Sequence, residues 1–251
     1  MAEIIGCMAM SHGPQLMLKP DQWGLLNTRN WDPLPERPEL RNETMDVKWS
    51  KWSRCQAAID ILRHKLEELA PDVVMVVGDD QHENILEDNT PPFTIFTGKE
   101  FEASVSLRYL KQDKSENRTS YGAKTDMAMA ITNALMDMDF DPAYSNKTRY
   151  EGGMGHAFAR VLKFLMPDRR YPVIPIMVNT YYPPAPSAKR CVRFGKALAT
   201  AIREFPDQSR VVIIGSGGLS HTKIDEELDR GFIRAWEGND MEYLESFSSS
   251  V

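Results

Sequence analysis

Two almost uninterrupted apolar runs constrain the fold of this chain more than any other feature. They are Val73–Val77, with the sequence VVMVV, and Val211–Ile214, with the sequence VVII. Short runs rich in β-branched residues, without polar alternation, are typical of strands that are buried on both faces of a sheet. Such strands need helices on both sides of the sheet. The runs therefore predict an α/β fold with a mostly parallel or mixed sheet.

The remaining apolar patterns predict strands that alternate with helices. The predicted strands are Ile4–Met10, Asp72–Gly78, Phe93–Phe96, Ala103–Tyr109, Tyr171–Asn179 and Val211–Gly215. The predicted helices are Lys51–Leu69, Tyr121–Met138, His156–Leu165, Ser187–Phe205 and Asp225–Trp236. Between the first strand and the first helix, Leu18–Asn42 is proline-rich, and we expect it to be a loop without regular structure. Since no repeat or linker interrupts the series, residues 1–251 should form one α/β sandwich domain, with helices flanking a central sheet.

Composition argues against several classes of protein. The 251 residues contain no apolar run long enough to span a bilayer, and the N-terminus lacks the lysines of an export signal. The net charge of −6, without any lysine or arginine run to offset it, makes nucleic acid an improbable partner. Cys7, Cys55 and Cys191 lie far apart, so we expect reduced thiols in a cytoplasmic protein and no cysteine-based zinc site.

Three of the five histidines follow strong predicted strands: His12, His82 and His221. Ligands of open α/β sheets bind beyond the carboxyl ends of the strands, so these three histidines predict one common site. His156 stands at a predicted helix start, whereas His64 lies between Arg63 and Lys65 and fits a solvated helix surface. Any single histidine could equally be a hydrogen-bonded loop residue. Two histidines with one carboxylate and open positions suit non-haem iron(II).

Four short motifs, taken together, carry a resemblance to a known family. They are Ser11–Pro14 (SHGP), Gly78–Asn84 (GDDQHEN), Gly155–Ala157 (GHA) and Gly215–His221 (GSGGLSH). In this order, from residue 4 to about residue 236, the chain resembles the class III (type II) extradiol ring-cleaving dioxygenases. That group includes the β subunit of protocatechuate 4,5-dioxygenase and the gallate and methylgallate dioxygenases.

The resemblance implies an enzyme that opens a catechol-type aromatic ring with dioxygen and iron(II). It implies that His12 and His82 bind the metal together with a glutamate. It further implies that His221 accepts a proton from the catechol, and that His156 contacts the substrate or the bound oxygen. The partners that it implies are the catechol, dioxygen and further copies of the chain, with or without a small α-type subunit.

The chain departs from the family pattern near its C-terminus. The ligand glutamate of the family lies in a block resembling G-x-x-E-x-x-N-W, and residues 237–251 contain no such block. Glu242 and Glu245 align upstream of it, so neither is assigned the role. We therefore expect the carboxylate ligand beyond Val251, with a catalytic domain that lacks the C-terminal segment of the family. On that expectation this form would hold little iron and be catalytically incomplete.

Two other functions fit the same residues. One is a metal-dependent hydrolase, because affinity alone does not select iron over zinc or manganese at histidine ligands. The other is a non-catalytic binding protein of the same fold. Four arginines could pair with a substrate carboxylate, although such side chains are more commonly solvated surface charges: Arg29, Arg37, Arg41 and Arg149.

Overall fold

The structure, a computed structural model, describes residues 1–28, 42–220 and 224–247. Its strands are β1 (Glu3–Met10), β2 (Val73–Gly78), β3 (Phe93–Phe96), β4 (Glu100–Ser104), β5 (Arg118–Gly122), β6 (Ala143–Ser145), β7 (Val173–Val178) and β8 (Arg210–Ser216). Its α-helices are α1 (Met45–Leu69), α2 (Thr125–Asp137), α3 (His156–Leu165), α4 (Ala188–Glu204), α5 (Glu226–Glu237) and α6 (Met241–Glu245). Among the described residues, 3₁₀ helices cover Pro14–Leu16, Pro20–Thr28 and Arg108–Leu110.

Six strands form the central sheet, in the order β1-β8-β2-β7-β3-β6. The first four of these are mutually parallel, whereas β3 runs antiparallel to β7 and parallel to β6. In the register of the sheet, Ser216 lies opposite both Met10 and Gly78. The carboxyl ends of β1, β8 and β2 are therefore neighbours at one edge, where loops from sequence-distant segments converge.

The core lies in two layers, one on each face of this sheet. Val74 and Val76 of β2 belong to the cluster that includes α1 and α3, whereas Val73 and Met75 belong to the cluster that includes α2 and α4. All four side chains are fully buried, and burying an aliphatic side chain of this size contributes about 1.5–3 kcal/mol. This mixed sheet between helical layers confirms the predicted fold class.

The predicted strand Ala103–Tyr109 was wrong. β4 ends at Ser104, and β4 and β5 form a separate antiparallel hairpin. Tyr121, predicted to begin a helix, lies in β5 and stacks on Phe101 of β4, with ring centroids 5.8 Å apart. This cross-strand packing, which depends on the partner strand, overrides the local helical preference of the segment.

The expectation that Leu18–Asn42 forms no regular structure was wrong for its first part. Residues Pro20–Thr28 form a 3₁₀ helix, since proline is compatible with the first turn of a helix. The Trp23 indole N–H contributes to the local packing by donating to the carbonyl oxygen of Leu18. Residues 29–41, with the remaining prolines of the segment, lie outside the described part of the chain.

One helix boundary and one additional helix also differ from the prediction. α1 begins at Met45 rather than at Lys51, because the Thr44 hydroxyl accepts a hydrogen bond from the backbone N–H of Val47 and caps the helix there. The short helix α6 was not predicted; it is capped by Asp240, which accepts from the backbone N–H of Tyr243.

Two further observations concern the cysteines and the possibility of a membrane-spanning helix. Cys7, Cys55 and Cys191 are free thiols. Across the described parts of the chain, the helices are all too short or too polar to cross a membrane.

Candidate active site

The candidate site lies where the carboxyl ends of β1, β8 and β2 meet. His12 follows β1 closely, and the backbone N–H of Gly217, just past β8, donates to the carbonyl oxygen of Met10. The loop that carries His82 follows β2 directly, and His156 begins α3. The rings of His12 and His156 contact each other edge to face, with centroids 5.2 Å apart and an interplanar angle of 89°. The sheet thus brings two of the predicted site histidines into direct contact.

A serine at the end of β8 sets the orientation of the His12 ring. The Ser216 Oγ lies 2.9 Å from His12 Nδ1, and the Ser216 hydroxyl donates to the carbonyl oxygen of Ala157. A hydroxyl has one proton to donate, so His12 Nδ1 must be the donor in its bond with Ser216. In the neutral ring, this leaves Nε2 as the nitrogen with the lone pair, which is the form that binds metals.

A glutamate from the loop after β2 holds His156 in a similar way. The Glu83 Oε2 accepts from the backbone N–H of His156 at 2.8 Å and lies 2.9 Å from its Nδ1. An ionised carboxylate only accepts hydrogen bonds, so Nδ1 carries a proton; in the neutral ring this leaves the lone pair on Nε2. The carboxylate also lies at the N-terminus of α3, where the helix dipole favours negative charge. A Cβ at Gly155 would lie 2.2 Å from this oxygen, so the contact requires glycine there.

The loop from Asp79 to Ile85 is shaped by the Asp80 carboxylate. This buried side chain accepts hydrogen bonds from the backbone N–H groups of Glu83, Asn84 and Ile85, at 2.7–3.0 Å. Gln81 and His82 both have left-handed backbone angles, with φ of 49° and 58°. Burial raises the pKa of Asp80, while these N–H bonds oppose the rise. Asp80 thus holds the tight turn that presents His82 and Glu83.

His82 contacts a tyrosine that the sequence did not point to. Its ring stacks on Tyr182, with centroids 3.2 Å apart and an interplanar angle of 6°. Asn179, just past β7, fixes Tyr182 by donating to its carbonyl oxygen at 2.7 Å and accepting from its N–H at 3.0 Å. Among the described residues the buried Nε2 of His82 has no hydrogen-bond partner. A buried polar atom without a partner is costly, and a metal bond would relieve that cost.

The Glu83 carboxylate also interacts with two other ionisable groups of the site, Arg160 and Tyr150. The buried Arg160 donates to the carbonyl oxygen of His12 at 2.8 Å; burial lowers its pKa, and the Glu83 charge opposes this effect. Burial, followed by the charges of Glu83 and Glu151, raises the pKa of Tyr150 to about 12. The Tyr150 hydroxyl is therefore neutral near pH 7 and is a donor for Glu83.

The sequence prediction missed four of these contributors: Glu83, Arg160, Tyr182 and Ser216. Glu83 could have been found, because it follows His82 directly in the polar run after β2. Arg160 and Tyr182 carry no signal in the sequence. Ser216 lies in the motif Gly215–His221, but its contact with His12, which is distant along the chain, is not readable there.

The remaining predicted residues lie elsewhere or outside the described part. His221 is not described, but Ser220, which precedes it, is bound through both its N–H and its hydroxyl to the Asp229 carboxylate, at 2.8 Å each. His64 is exposed on α1. Glu242 and Glu245 lie on α6, which packs against α4 and α5, and Glu245 pairs with Lys196 of α4 at 3.3 Å.

Of the four candidate arginines, Arg149 lies within the described part of the chain. Arg149 is exposed and lies 3.4 Å from both carboxylate oxygens of Asp88. The other three, Arg29, Arg37 and Arg41, lie outside the described residues.

Two imidazoles of the site fit metal ligands. In His12 the bond from Nδ1 to Ser216 leaves the Nε2 lone pair, and in His82 the Nε2 is buried without a hydrogen-bond partner among the described residues. Within residues 1–28, 42–220 and 224–247, no group of three or more His, Cys, Asp or Glu side chains could hold a metal ion. Among the described residues, His12 and His82 therefore do not belong to a group of three such side chains.

Comparison with known proteins relates the chain to ring-opening enzymes. A 2,3-dihydroxyphenylpropionate/2,3-dihydroxicinnamic acid 1,2-dioxygenase from Comamonas testosteroni is 30% identical over 167 residues, covering 65% of this chain and 47% of that protein. An enzyme of the same name from Rhodococcus sp is 27% identical over 190 residues, covering 75% and 54%. A third, from Pseudomonas putida, is 31% identical over 160 residues, covering 63% and 46%. The chain spans about half the length of these curated relatives.

A solved structure of an uncharacterized protein from Escherichia coli K12 covers 65% of this chain and 54% of its own, with a TM-score of 0.43 and 14% identity. That similarity is too low to bear on fold or function. The family model described as the catalytic LigB subunit of aromatic ring-opening dioxygenase matches residues 6–250, nearly the whole chain. The resemblance that the four motifs indicated is thereby confirmed, and the chain belongs to the LigB family of aromatic ring-opening dioxygenase catalytic subunits.

Proposed function

We propose that this chain catalyses the extradiol cleavage of a catechol-type aromatic ring by dioxygen, with iron(II) as its metal. The observation that carries the proposal is the pair of oriented histidines, His12 and His156, together with the buried Nε2 of His82, which has no hydrogen-bond partner among the described residues. Membership of the LigB family and relatives named as dioxygenases of 2,3-dihydroxyphenylpropionate support the same reaction class. The family resemblance also favours an assembly of several copies of the chain.

His12 and His82 would hold the iron, each through its Nε2. Bound iron(II) would make the catechol hydroxyls more acidic and bring catechol and dioxygen to one centre. Ser216 keeps the His12 ring in the tautomer and orientation that ligation needs, and stacking on Tyr182 does the same for the plane of the His82 ring.

Two further histidines would act on protons. His221 would accept a proton from a catechol hydroxyl, the role that its motif position implies. His156 would contact the substrate or the oxygen through Nε2, because Glu83 holds the proton on Nδ1. Arg160 and Tyr150 surround Glu83 with a positive charge and a hydroxyl donor, which help to hold the Glu83 carboxylate in place.

Oxygen uptake tests the proposed reaction directly. The protein is loaded with iron(II) under anaerobic conditions and mixed with a panel of catechols in an oxygen electrode, and the yellow ring-cleavage product is followed by absorbance. We expect oxygen consumption in proportion to the iron that the protein holds, matched by product formation, and none with zinc in its place. Protein that holds one iron per chain but consumes no oxygen with any catechol would contradict the proposal.

Glu83→Gln should slow turnover at least about tenfold without loss of folding, since removing a partner that orients a functional histidine commonly costs 10- to 100-fold. The amide still fills the space, but its NH₂ group can point at His156 and the negative charge at the α3 N-terminus is lost. The measurement is kcat with a saturating catechol, together with the ¹⁵N chemical shifts of the His156 ring, which report its tautomer.

The matched control for this variant is Glu116→Gln, which removes an exposed carboxylate elsewhere on the surface. It should leave both kcat and the His156 spectrum unchanged. If Glu83→Gln kept the full rate and the same His156 tautomer, Glu83 would have no role in orienting this ring.

A further inference from the structure

A buried arginine lies among the residues that hold the site histidines. Arg160 is on α3, four residues after His156, and residues four positions apart lie on the same face of a helix. The residue is 9% exposed. Arginine is almost never buried to this extent without a partner, because removing a charge from water is costly. The contacts of the guanidinium must therefore offset the cost of its burial.

These contacts are not those of a structural ion pair. Within residues 1–28, 42–220 and 224–247, Arg160 pairs with no carboxylate, and its hydrogen bond runs from a guanidinium nitrogen to the carbonyl oxygen of His12 at 2.8 Å. Burial lowers the pKa of Arg160, and the charge of Glu83 opposes this effect. The guanidinium thus bonds the backbone beside one site histidine and attracts the carboxylate that holds another, His156.

Two hydrogen bonds tie the His12 segment to α3. The first is the bond from Arg160 to the carbonyl oxygen of His12, which holds the backbone of this residue. The second runs from the Ser216 hydroxyl to the carbonyl oxygen of Ala157, while the same hydroxyl accepts from His12 Nδ1. The backbone and the ring of His12 are therefore both tied to the helix that begins with His156.

The helix α3 is a rigid support for these two bonds. Phe158, Val161 and Leu162 are fully buried in the core layer that also includes α1. Closely packed side chains leave a helix little freedom to shift. A bond from α3 to the His12 backbone therefore sets how far His12 lies from His156, whose ring it contacts edge to face.

We propose that Arg160 is a positioning residue, which fixes the backbone of His12 relative to His156 and so keeps both imidazoles where the metal and the substrate need them. A planar guanidinium with five N–H donors suits this place, because it can hold a carbonyl oxygen and still present its charge to a carboxylate. The inference rests on the proposed function for the roles of the two histidines, and it adds a residue that acts through them.

Arg160→Met tests this role, because it replaces the guanidinium with an apolar chain and removes the donor to His12. In the metal-free protein, the nuclear Overhauser effect between the ring protons of His12 and His156 reports their contact, and we expect it to be lost. Iron(II), titrated under anaerobic conditions, should bind about tenfold more weakly, since loss of an outer-shell partner commonly costs 10- to 100-fold in metal affinity.

The matched control is Arg63→Met. Arg63 also donates to a backbone carbonyl oxygen of α3, that of Phe164, at 2.8 Å, but at the opposite end of the helix from His156. Its removal should leave the ring contact and the iron affinity unchanged, even where it lowers the free energy of unfolding. An equal loss of ring contact and iron affinity in both variants would show a general effect on α3 and would contradict a positioning role for Arg160.

Arg160→Met with the ring contact and the iron affinity of the parent protein would overturn the proposal. If this variant does not fold, Arg160→Lys takes its place, because lysine keeps the charge but lacks the planar fork. Unchanged values in that variant would overturn the proposal equally. Oxygen uptake by the iron-loaded parent tests the proposed function separately: its absence would contradict that function, while the ring contact and the iron affinity would still decide the role of Arg160.

Discussion

Replacement of His12 or His82 with alanine should abolish retention of iron while the fold is kept. Loss of a partner in the outer shell of a metal site costs about 10- to 100-fold in affinity, so loss of a ligand should cost more than about a hundredfold. Both side chains come from loops at the sheet edge rather than from the apolar core, so their removal leaves the packing of the two core layers intact. Oxygen uptake should fall to the level of metal-free protein in both variants.

The experiment compares metal content after anaerobic loading and desalting, with circular dichroism as the check on folding. His64→Ala provides the matched control, because His64 is exposed on α1 and does not belong to the loops that carry His12 and His82. The control should retain as much iron as the parent protein. If both the His12 and His82 variants held one iron per chain, the ligand assignment would be wrong.

His221→Ala should separate proton transfer from metal binding. General-base catalysis commonly contributes about 10²- to 10⁴-fold, so we expect turnover to slow by at least about a hundredfold. Iron content and affinity for the catechol should be unchanged, because on this assignment His221 does not bind the metal. Single-turnover kinetics under anaerobic preloading, together with metal analysis, distinguish the two effects.

A substitution at Ser220 is the control for His221→Ala, because Ser220 precedes His221 directly. Its N–H and hydroxyl both bind Asp229 of α5, so the segment just before His221 is anchored to a helix. Ser220→Ala removes one of these two bonds and should cause a smaller loss of rate than His221→Ala. Loss of iron in His221→Ala would make this histidine a ligand and would require a different base.

Local sequence patterns determined most of the secondary structure. The runs in β2 and β8 are apolar at nearly every position, which only a strand covered on both faces can satisfy, and both strands form where predicted. The helices α3 and α4 likewise follow their apolar periodicity, and α4 begins at the cap that Ser187 supplies. The placement of polar residues at strand ends was also a local feature, and it pointed to the edge of the sheet at which the carboxyl ends of β1, β8 and β2 meet.

The tertiary structure alone decided which of these residues meet. The strand order β1-β8-β2 places Ser216 beside His12, although the two residues are 204 positions apart along the chain. Glu83 reaches His156 across 73 positions, and Tyr182 covers His82 only because β7 is the neighbour of β2. The hairpin of β4 and β5 was mispredicted for the same reason, since the packing of Tyr121 depends on its partner strand. Apolar periodicity indicates which face of a helix or strand is buried, but it does not indicate which other element packs against that face. Contacts between distant segments depend on how the elements pack, and the side chains that orient the site histidines are contacts of that kind.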